Sequence, residues 1–569
     1  MTALKVIDCS PLDQGDLPSS PEDITSPTPQ PATPEWWRGA VIYQIYPLSF
    51  GDSNGDGYGD LPGIIQHLEY VALLGVDAIW ISPFYKSPFH DLGYDVADHK
   101  QVDPRFGTLA DFDRLVARAK ELGLKVMLDM VWNHTSSEHP WFIESSSSRD
   151  NPKADWFIWA DAREDGTPPN NWMSIFGASA WTWSAIRGQY YMSHFLKTQP
   201  QLNLRNPAVV QELLGIGRFW LDRGVEGLRF DAIDWMFHHP NMQDNPPCPI
   251  PPNTLPIKPF QFQQHIYDLL HDDARAFMSE IHKLVAEYPG TVSLGELSSQ
   301  PGWLRRIGDY TQPTESGLNM AYTLGLMKGK FDAGNFQSLI REQKQALRDG
   351  WICWSFANHD VVRPVSRWSS APQHRAIFAR LLMTLLLSLR GSICMYQGEE
   401  LGLTEAEIAP EFIRDPYGLV FQPRFFGRDG SRTPVPWNAE ERHAGFTTAN
   451  TPWLPIPDEH FDMSVNRQWN NPASVLASWR EALAWRKRHP ALIYGEINLV
   501  ETQAPVLAFT RADDTEKLIL IFNLSEFETS MSMSLLPAFT PLLDRVHAAV
   551  IEDDLVKLSP YGTLIGICG

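Results

Sequence analysis

GLRFDAID, residues 227–234, is the stretch from which the fold can be read. Leu228 and Phe230 are the apolar members of a short buried β-strand, and Arg229 and Asp231 arrive together at its C-terminal end. The segment before it, PAVVQELLGIGRFWLDRG, has the period of an amphipathic helix. A guanidinium two residues from a carboxylate gives it a cationic partner, and an ionised, strand-held Asp is a candidate nucleophile. Arg-x-Asp on a strand equally serves as a structural ion pair, so the neighbouring strand ends must decide between the two.

Outward from this unit, strand and helix alternate at βαβ spacing, which implies parallel strands with right-handed crossovers. Upstream, AVIYQIYPLSF, AIWISPF and KVMLDMVWNH read as strands. LPGIIQHLEYVALLG and TLADFDRLVARAKELG are the helices between them, the second with Thr108 as N-cap and Gly123 as C-cap. Downstream, TVSLGEL, Leu318 to Leu326, ICWSFANHD and SICMYQGEE read as strands, interleaved with helices such as FQSLIREQKQALRDG and HRAIFARLLMTLLLS. The total is about eight strand–helix units, the number that closes a barrel, so the fold class is α/β.

Alternation pauses over 135–205, where Trp, Pro, Ser and Gly crowd without helical period; this is expected to be a domain inserted after the third strand. The barrel is therefore assigned to 35–134 and 206–489. From 490 to 569 short alternating runs such as VLAFTR and KLILIFNL predict a small antiparallel β-domain. Residues 1–34, rich in Pro, Ser, Thr and Asp and without an aromatic residue, have the composition of a disordered tail.

A formal charge of -21 and a pI near 5.2 argue against nucleic acid and anionic membranes as partners. The five cysteines, at 9, 248, 353, 394 and 568, show no metal or redox spacing and suit a reducing compartment. MTALKVIDCSPLDQ has neither the apolar core nor the basic leader of a signal peptide. The most apolar run, Leu381 to Leu389, is too short to span a bilayer, and a cytoplasmic protein is expected.

Catalytic groups of such a barrel sit at the C-terminal ends of its strands. The third strand presents Asp129, Asn133 and His134 there, the fourth Arg229 and Asp231, the fifth Glu296, the seventh His359 and Asp360. Convergence of four polar ends marks a shared site. Three carboxylates in one bowl cannot all ionise freely, which raises at least one pKa. Glycoside hydrolysis needs that division, one ionised nucleophile and one protonated acid. The insertion adds flat apolar faces for sugar rings at Phe176 and Trp181–Thr182–Trp183.

DMVWNH, GLRFDAID, GELS and FANHD resemble, in order, the four short strand-end motifs of the α-amylase superfamily, glycoside hydrolase family thirteen. QPQLN, Gln199 to Asn203, resembles its fifth motif, and YQGEELG and GRDGSRTPVPW resemble segments of its maltase and oligo-1,6-glucosidase branch. The resemblance runs from Trp36 to the C-terminus. It implies a catalytic (β/α)8 TIM barrel, an inserted domain B after strand 3 and a C-terminal antiparallel β-sandwich. By position it makes Asp231 the nucleophile, Glu296 the general acid/base and Asp360 the transition-state stabiliser. It places Arg229, His134 and His359 around the sugar of subsite −1. Asp91 and Tyr94 of HDLGYD resemble the pair that closes this pocket around the non-reducing end, and Arg432 of SRTP its remaining guanidinium.

Ala232 matches the small residue of α-1,4-preferring members, where α-1,6-preferring ones carry Val. Gln201 stands where oligo-1,6-glucosidases have Asp. With the Pro-rich loop NPPCPIPPNTLPIKP, which is expected to shape subsite +1, this resembles bacterial α-glucosidases with marked transglycosylation. The loop DSNGDGYGD, residues 52–60, directs oxygens inward at calcium-loop spacing; Asp52, Asn54, Asp56, the Tyr58 carbonyl and Asp60 resemble the structural Ca²⁺ loop of these glucosidases. The expected protein is a retaining, exo-acting α-glucosidase for short α-glucosides such as maltose, without organic cofactor. A trehalose or sucrose isomerase and an oligo-1,6-glucosidase are the rival enzymes. Transporter heavy chains share the barrel without catalysis, but they carry a transmembrane helix and lack the complete acidic trio.

Overall fold

The computed structural model describes residues 35–250, 256–368, 372–542 and 547–569. The expected N-terminal tail and part of the Pro-rich loop lie outside the described residues. Eight parallel strands form the centre: β1 (Val41–Ile45), β2 (Ala78–Ile81), β3 (Lys125–Met130), β4 (Gly227–Phe230), β5 (Val292–Leu297), β6 (Met320–Thr323), β7 (Cys353–Trp354) and β8 (Ser392–Tyr396). Their lateral order is β6-β5-β4-β3-β2-β1-β8-β7. A parallel bridge from Ala321 to Ile352 joins the two ends, so the sheet closes into a barrel.

Side chains alternate along each strand, which explains why the strands read as unbroken apolar runs: both faces are buried. Ile42, Ala78, Trp80, Met127, Leu294, Met320 and Tyr322 fill the interior. Val41, Tyr43, Ile79, Ile81, Leu128, Leu228 and Phe230 face the helices. In β4 the inward positions go to Gly227 and Arg229. A Cβ at Gly227 would stand 2.3 Å from Met127 Cγ, so this site tolerates no side chain.

The helices follow from local signals. Helix α1 (Leu61–Leu74) is capped by Asp60, whose carboxylate accepts from the Gly63 N–H, and it stops at Gly75 with φ of 93°. Helix α2 (Leu109–Glu121) begins with a capping box between Thr108 and Asp111. It ends one residue before the expected cap: Leu122 is the C-cap, and Gly123 follows it with φ of 75°. The helices α3 (Pro207–Leu221), α4 (Asp273–Ala286), α5 (Trp303–Tyr310), α6 (Ala333–Leu347), α7 (Arg375–Ser388) and α8 (Val475–Arg488) complete the ring. The sixth strand is shorter than its apolar run. Thr323 ends it by capping a helical turn at Leu324–Met327, whose hydrogen bonds replace the ladder.

Between β3 and β4 the chain makes a helix, Pro140–Ser147, and a three-stranded antiparallel sheet of Trp159–Ala160, Gln189–Met192 and Trp181–Ser184. The C-terminal β-sandwich is antiparallel, from Glu496–Val500 to the long strand Leu555–Cys568. Leu507, Phe509, Leu518, Leu520 and Phe522 face the barrel core, while Val506, Ala508, Ile519 and Ile521 pack with Val556 and Leu558.

Candidate active site

A cavity of about 570 Å³ opens above the C-terminal ends of the strands. Asp91, Tyr94, His134, Phe176, Asp231, Glu296, His359 and Asp360 all line it, so eight of the expected residues come together from six separate parts of the chain. Their scaffold is cationic. Arg229, fully buried beneath the floor, donates through Nη1 to Asp231 at 2.7 Å and to Asp129 at 2.6 Å. Its Nη2 donates to Glu296 and, at 2.6 Å, to the Tyr322 hydroxyl. The face of Trp80 lies 4.6 Å from its guanidinium carbon.

A second cationic centre holds the opposite wall. Arg428 donates to Asp360 at 2.8 Å, to Asp91 at 3.1 Å and to Asp415 at 2.7 Å. Arg432, one turn on, donates to Asp360 at 3.0 Å and to the His359 carbonyl at 2.7 Å. Of the expected arginines, neither Arg229 nor Arg432 is among the residues that line the cavity. The guanidinium that faces Asp91 and lines the cavity is Arg428, while Arg432 supports Asp360 from behind. Arg229 likewise lies under the lining, its donors directed to protein oxygens. Arg428 and Arg432 sit four residues apart in GRDGSRTPVPW, and sequence spacing carries no sign of which one faces the cavity.

His359 is sandwiched between Tyr46 and Tyr94, with ring centroids at 5.6 and 5.2 Å. The Gln44 amide donates to its Nδ1 at 2.7 Å, which leaves the proton on Nε2. Tyr94 in turn donates to Asp129 at 3.0 Å. Gln199 donates to Asp91 at 3.0 Å and lies 3.1 Å from His134 Nε2. Gln201, by contrast, is a buried strut: its amide donates to the Trp235 carbonyl at 2.9 Å. Phe176 stacks on Tyr417 at 4.0 Å and gives the cavity an aromatic face. Trp181 does not; it is buried in the insertion's own core with Trp172 and Met192, and Trp183 is exposed outside the cavity.

The environment divides the carboxyl groups. Burial raises Glu296 well above the usual carboxylate range, and the charges of Asp231 and Asp360 add to it against Arg229. Burial works against ionisation of Asp360 too, but the guanidinium groups of Arg428 and Arg432 outweigh it and hold that carboxyl far below its ordinary value. Burial pushes Asp91 and Asp129 up to about 7. It lowers His359 to about 3, so this ring is neutral near pH 7.

The far wall is apolar: Trp235, Phe260 and Ile257 from the segment after β4, with Phe195, Val361 and Phe425. Ala232, beside Asp231, also lines the cavity, with φ of 52°. Lys258 holds its ammonium 3.4 Å from the centre of the Tyr417 ring. Trp235 and Phe260 were not picked out from sequence, and Gln199 and Lys258 were reached only as members of QPQLN and of the Pro-rich loop, because their segments have no period that separates a wall from a loop.

The acidic loop lies before α1. Asp52 accepts from the Asn54, Gly55 and Gly57 N–H groups, and Asp56 from Tyr58. Asp60 caps α1 and accepts from Ser53. Its donor types suit a hard cation, yet among the described residues no three His, Cys, Asp or Glu side chains are grouped to hold a metal.

These features define a glycoside hydrolase on a (β/α)8 barrel. The chain belongs to the α-amylase family: the description "Alpha amylase, catalytic domain" matches residues 44–495. It is 48% identical to a probable α-glucosidase of Rhizobium meliloti (strain 1021) over 93% of this chain and 96% of that one. The crystal structure of the α-glucosyl transfer enzyme XgtA superposes with a TM-score of 0.90 at 47% identity, covering 94% of this chain and 99% of the other. An isomaltulose synthase of Erwinia rhapontici NX5, in complex with its natural substrate sucrose, gives a TM-score of 0.84 at 33% identity over 94% and 100% of the two chains. Within the family this chain is an α-glucosidase.

Proposed function

We propose that the enzyme is a retaining, exo-acting α-glucosidase that prefers α-1,4 linkages in short substrates and also transfers glucose to acceptors. The observation that carries this reading is the cavity wall at Asp91, which Arg428 and Gln199 hold while Arg428 also binds Asp360 of the acidic trio. A wall there admits a chain end and excludes a continuing chain.

Asp231 attacks the anomeric carbon as the glycosidic C–O bond breaks, and Glu296 gives its proton to the leaving oxygen. Glu296 then takes a proton from water or an acceptor hydroxyl, which releases the sugar from Asp231. Asp231 and Glu296 share the Arg229 fork, which favours the retaining separation of roughly 5 Å over the wider gap of an inverting pair. Asp360, kept ionised by Arg428 and Arg432, stabilises the cationic transition state. Product identification on maltose, isomaltose and sucrose is the test, with Asp231→Asn as control. Glucose with α-1,4 transfer products is expected, and Asp231→Asn should lose nearly all turnover while keeping its fold. A dominant isomeric disaccharide from sucrose would establish the isomerase reading, which the likeness to isomaltulose synthase favours.

The 52–60 loop is proposed to bind a structural Ca²⁺ through Asp52, Asn54, Asp56, the Tyr58 carbonyl and Asp60, supported by its hard oxygen donors. A chelator should then lower the melting temperature and added Ca²⁺ restore it; an unchanged melt would remove the ion. Cytoplasmic residence is proposed from the four described cysteines, all unbridged. Among the described residues no helix is long and apolar enough to cross a membrane, and the acidic trio is complete, so nothing favours a transporter heavy chain.

A further inference from the structure

Behind the apolar wall lies a buried charge cluster that the chemistry above does not use. Asp268 is fully buried, and its Oδ2 lies 2.8 Å from His265 Nδ1 and 4.0 Å from His194 Nε2. The other nitrogen of His265, Nε2, lies 2.8 Å from the Phe260 carbonyl. The two ring nitrogens of His265 are thus tied to Asp268 on one side and to the Phe260 carbonyl on the other, which fixes the plane of the ring.

This pair bears directly on the wall. The His265 ring stacks on Phe260 with centroids 3.4 Å apart, and Phe260 stacks on Trp235 at 5.4 Å. His194 holds the other side of the same indole edge-on at 5.4 Å, and its Nδ1 lies 2.6 Å from Gln201 Oε1. Gln201 donates to the Trp235 carbonyl, which fixes its oxygen toward His194. Phe260 and Trp235 both line the cavity. We infer that the buried His265–Asp268 pair is a positioning device for this aromatic wall, and so sets how the aglycone and the transfer acceptor are held against water.

The inference rests on the α-glucosidase reading with transfer to acceptors. Among the described residues neither Arg229 nor Arg428, which hold the carboxylates of the glucose site, is hydrogen-bonded to His265 or Asp268, so the pair reaches the cavity through the aromatic wall. The test uses the full-length enzyme with Asp268→Asn, His265→Gln and the conservative Asp268→Glu. Initial rates on maltose and on p-nitrophenyl α-glucoside are measured together with the ratio of transfer product to free glucose. Asp268→Asn is expected to raise KM for maltose about tenfold and to lower the transfer ratio several-fold, with a much smaller fall in kcat. Asp268→Glu should recover part of the ratio.

A parallel loss of kcat on both substrates with an unchanged transfer ratio would overturn the inference. If Asp268→Asn does not fold, His265→Gln decides in the same way. Absence of any transfer product from the wild type would instead count against the transfer reading, and the KM effect on maltose would still test the wall.

Discussion

Removal of Arg229 is the sharpest perturbation of the site. One fully buried guanidinium serves Asp129, Asp231 and Glu296, and Arg229→Met keeps much of its volume over Trp80 while deleting every charge-assisted bond. Breaking a buried pair from one side costs about 3–5 kcal/mol, because the partner charge is left uncompensated. Here three carboxylates lose a shared cation, and the easiest relief is for them to take up protons. Asp129 already stands at about 7 and Glu296 well above the ordinary range with Arg229 present. Protonation spreading to Asp231 would remove the nucleophile. If the lost energy falls on the transition state, about 3–5 kcal/mol corresponds to a loss of kcat/KM of about 10²–10⁴. Rates on p-nitrophenyl α-glucoside and thermal melts of the same preparations measure both costs. Arg229→Lys should recover part of the stability but little rate, since one ammonium cannot span two carboxylates as the fork does. An Arg229→Met enzyme within tenfold of wild-type kcat/KM, with an unchanged melting temperature, would refute the reasoning.

Two further outcomes follow from the same geometry. Glu296, raised by burial and by its acidic neighbours, must be protonated to assist the leaving group, so activity should persist below its folded pKa and fall as pH rises through it. With a glucoside whose leaving group needs no proton, the alkaline limb should disappear in Glu296→Gln, and its survival there would assign that limb elsewhere. Ala232→Val places a β-branched side chain at φ of 52°, a left-handed backbone that Ala tolerates and β-branched residues adopt least readily. The variant should melt lower and shift the ratio of isomaltose to maltose turnover toward α-1,6; an unchanged ratio would show that Ala232 does not govern linkage.

Much of the site was legible because its chemistry sits where strands end. Asp231, Glu296 and Asp360 each close an apolar run, and a closed parallel barrel brings such ends to one rim. Asp91 and Tyr94 were reached through HDLGYD. Legibility failed where position depends on a loop's path. Arg428 and Arg432 have the same chemistry, and only the turn at Asp429–Ser431 aims the first at Asp91 and the second at His359. Trp181 and Trp183 looked like sugar platforms, but burial in the insertion's own core takes one and outward orientation the other. The strand expected over Leu318 to Leu326 was shortened by a Thr323 cap, a local bond that apolar periodicity cannot register.

GLRFDAID by itself determined a buried strand that carries Arg229 and Asp231 to its C-terminal end, since alternation and burial follow from residue type. What the tertiary structure decided is how that guanidinium is shared. Arg229 points into the barrel interior, where β3 and β5 bring Asp129 and Glu296 to the same fork as Asp231. Hydrogen bonds and desolvation depend on distances between groups far apart in the chain, and those distances exist only once the barrel is closed.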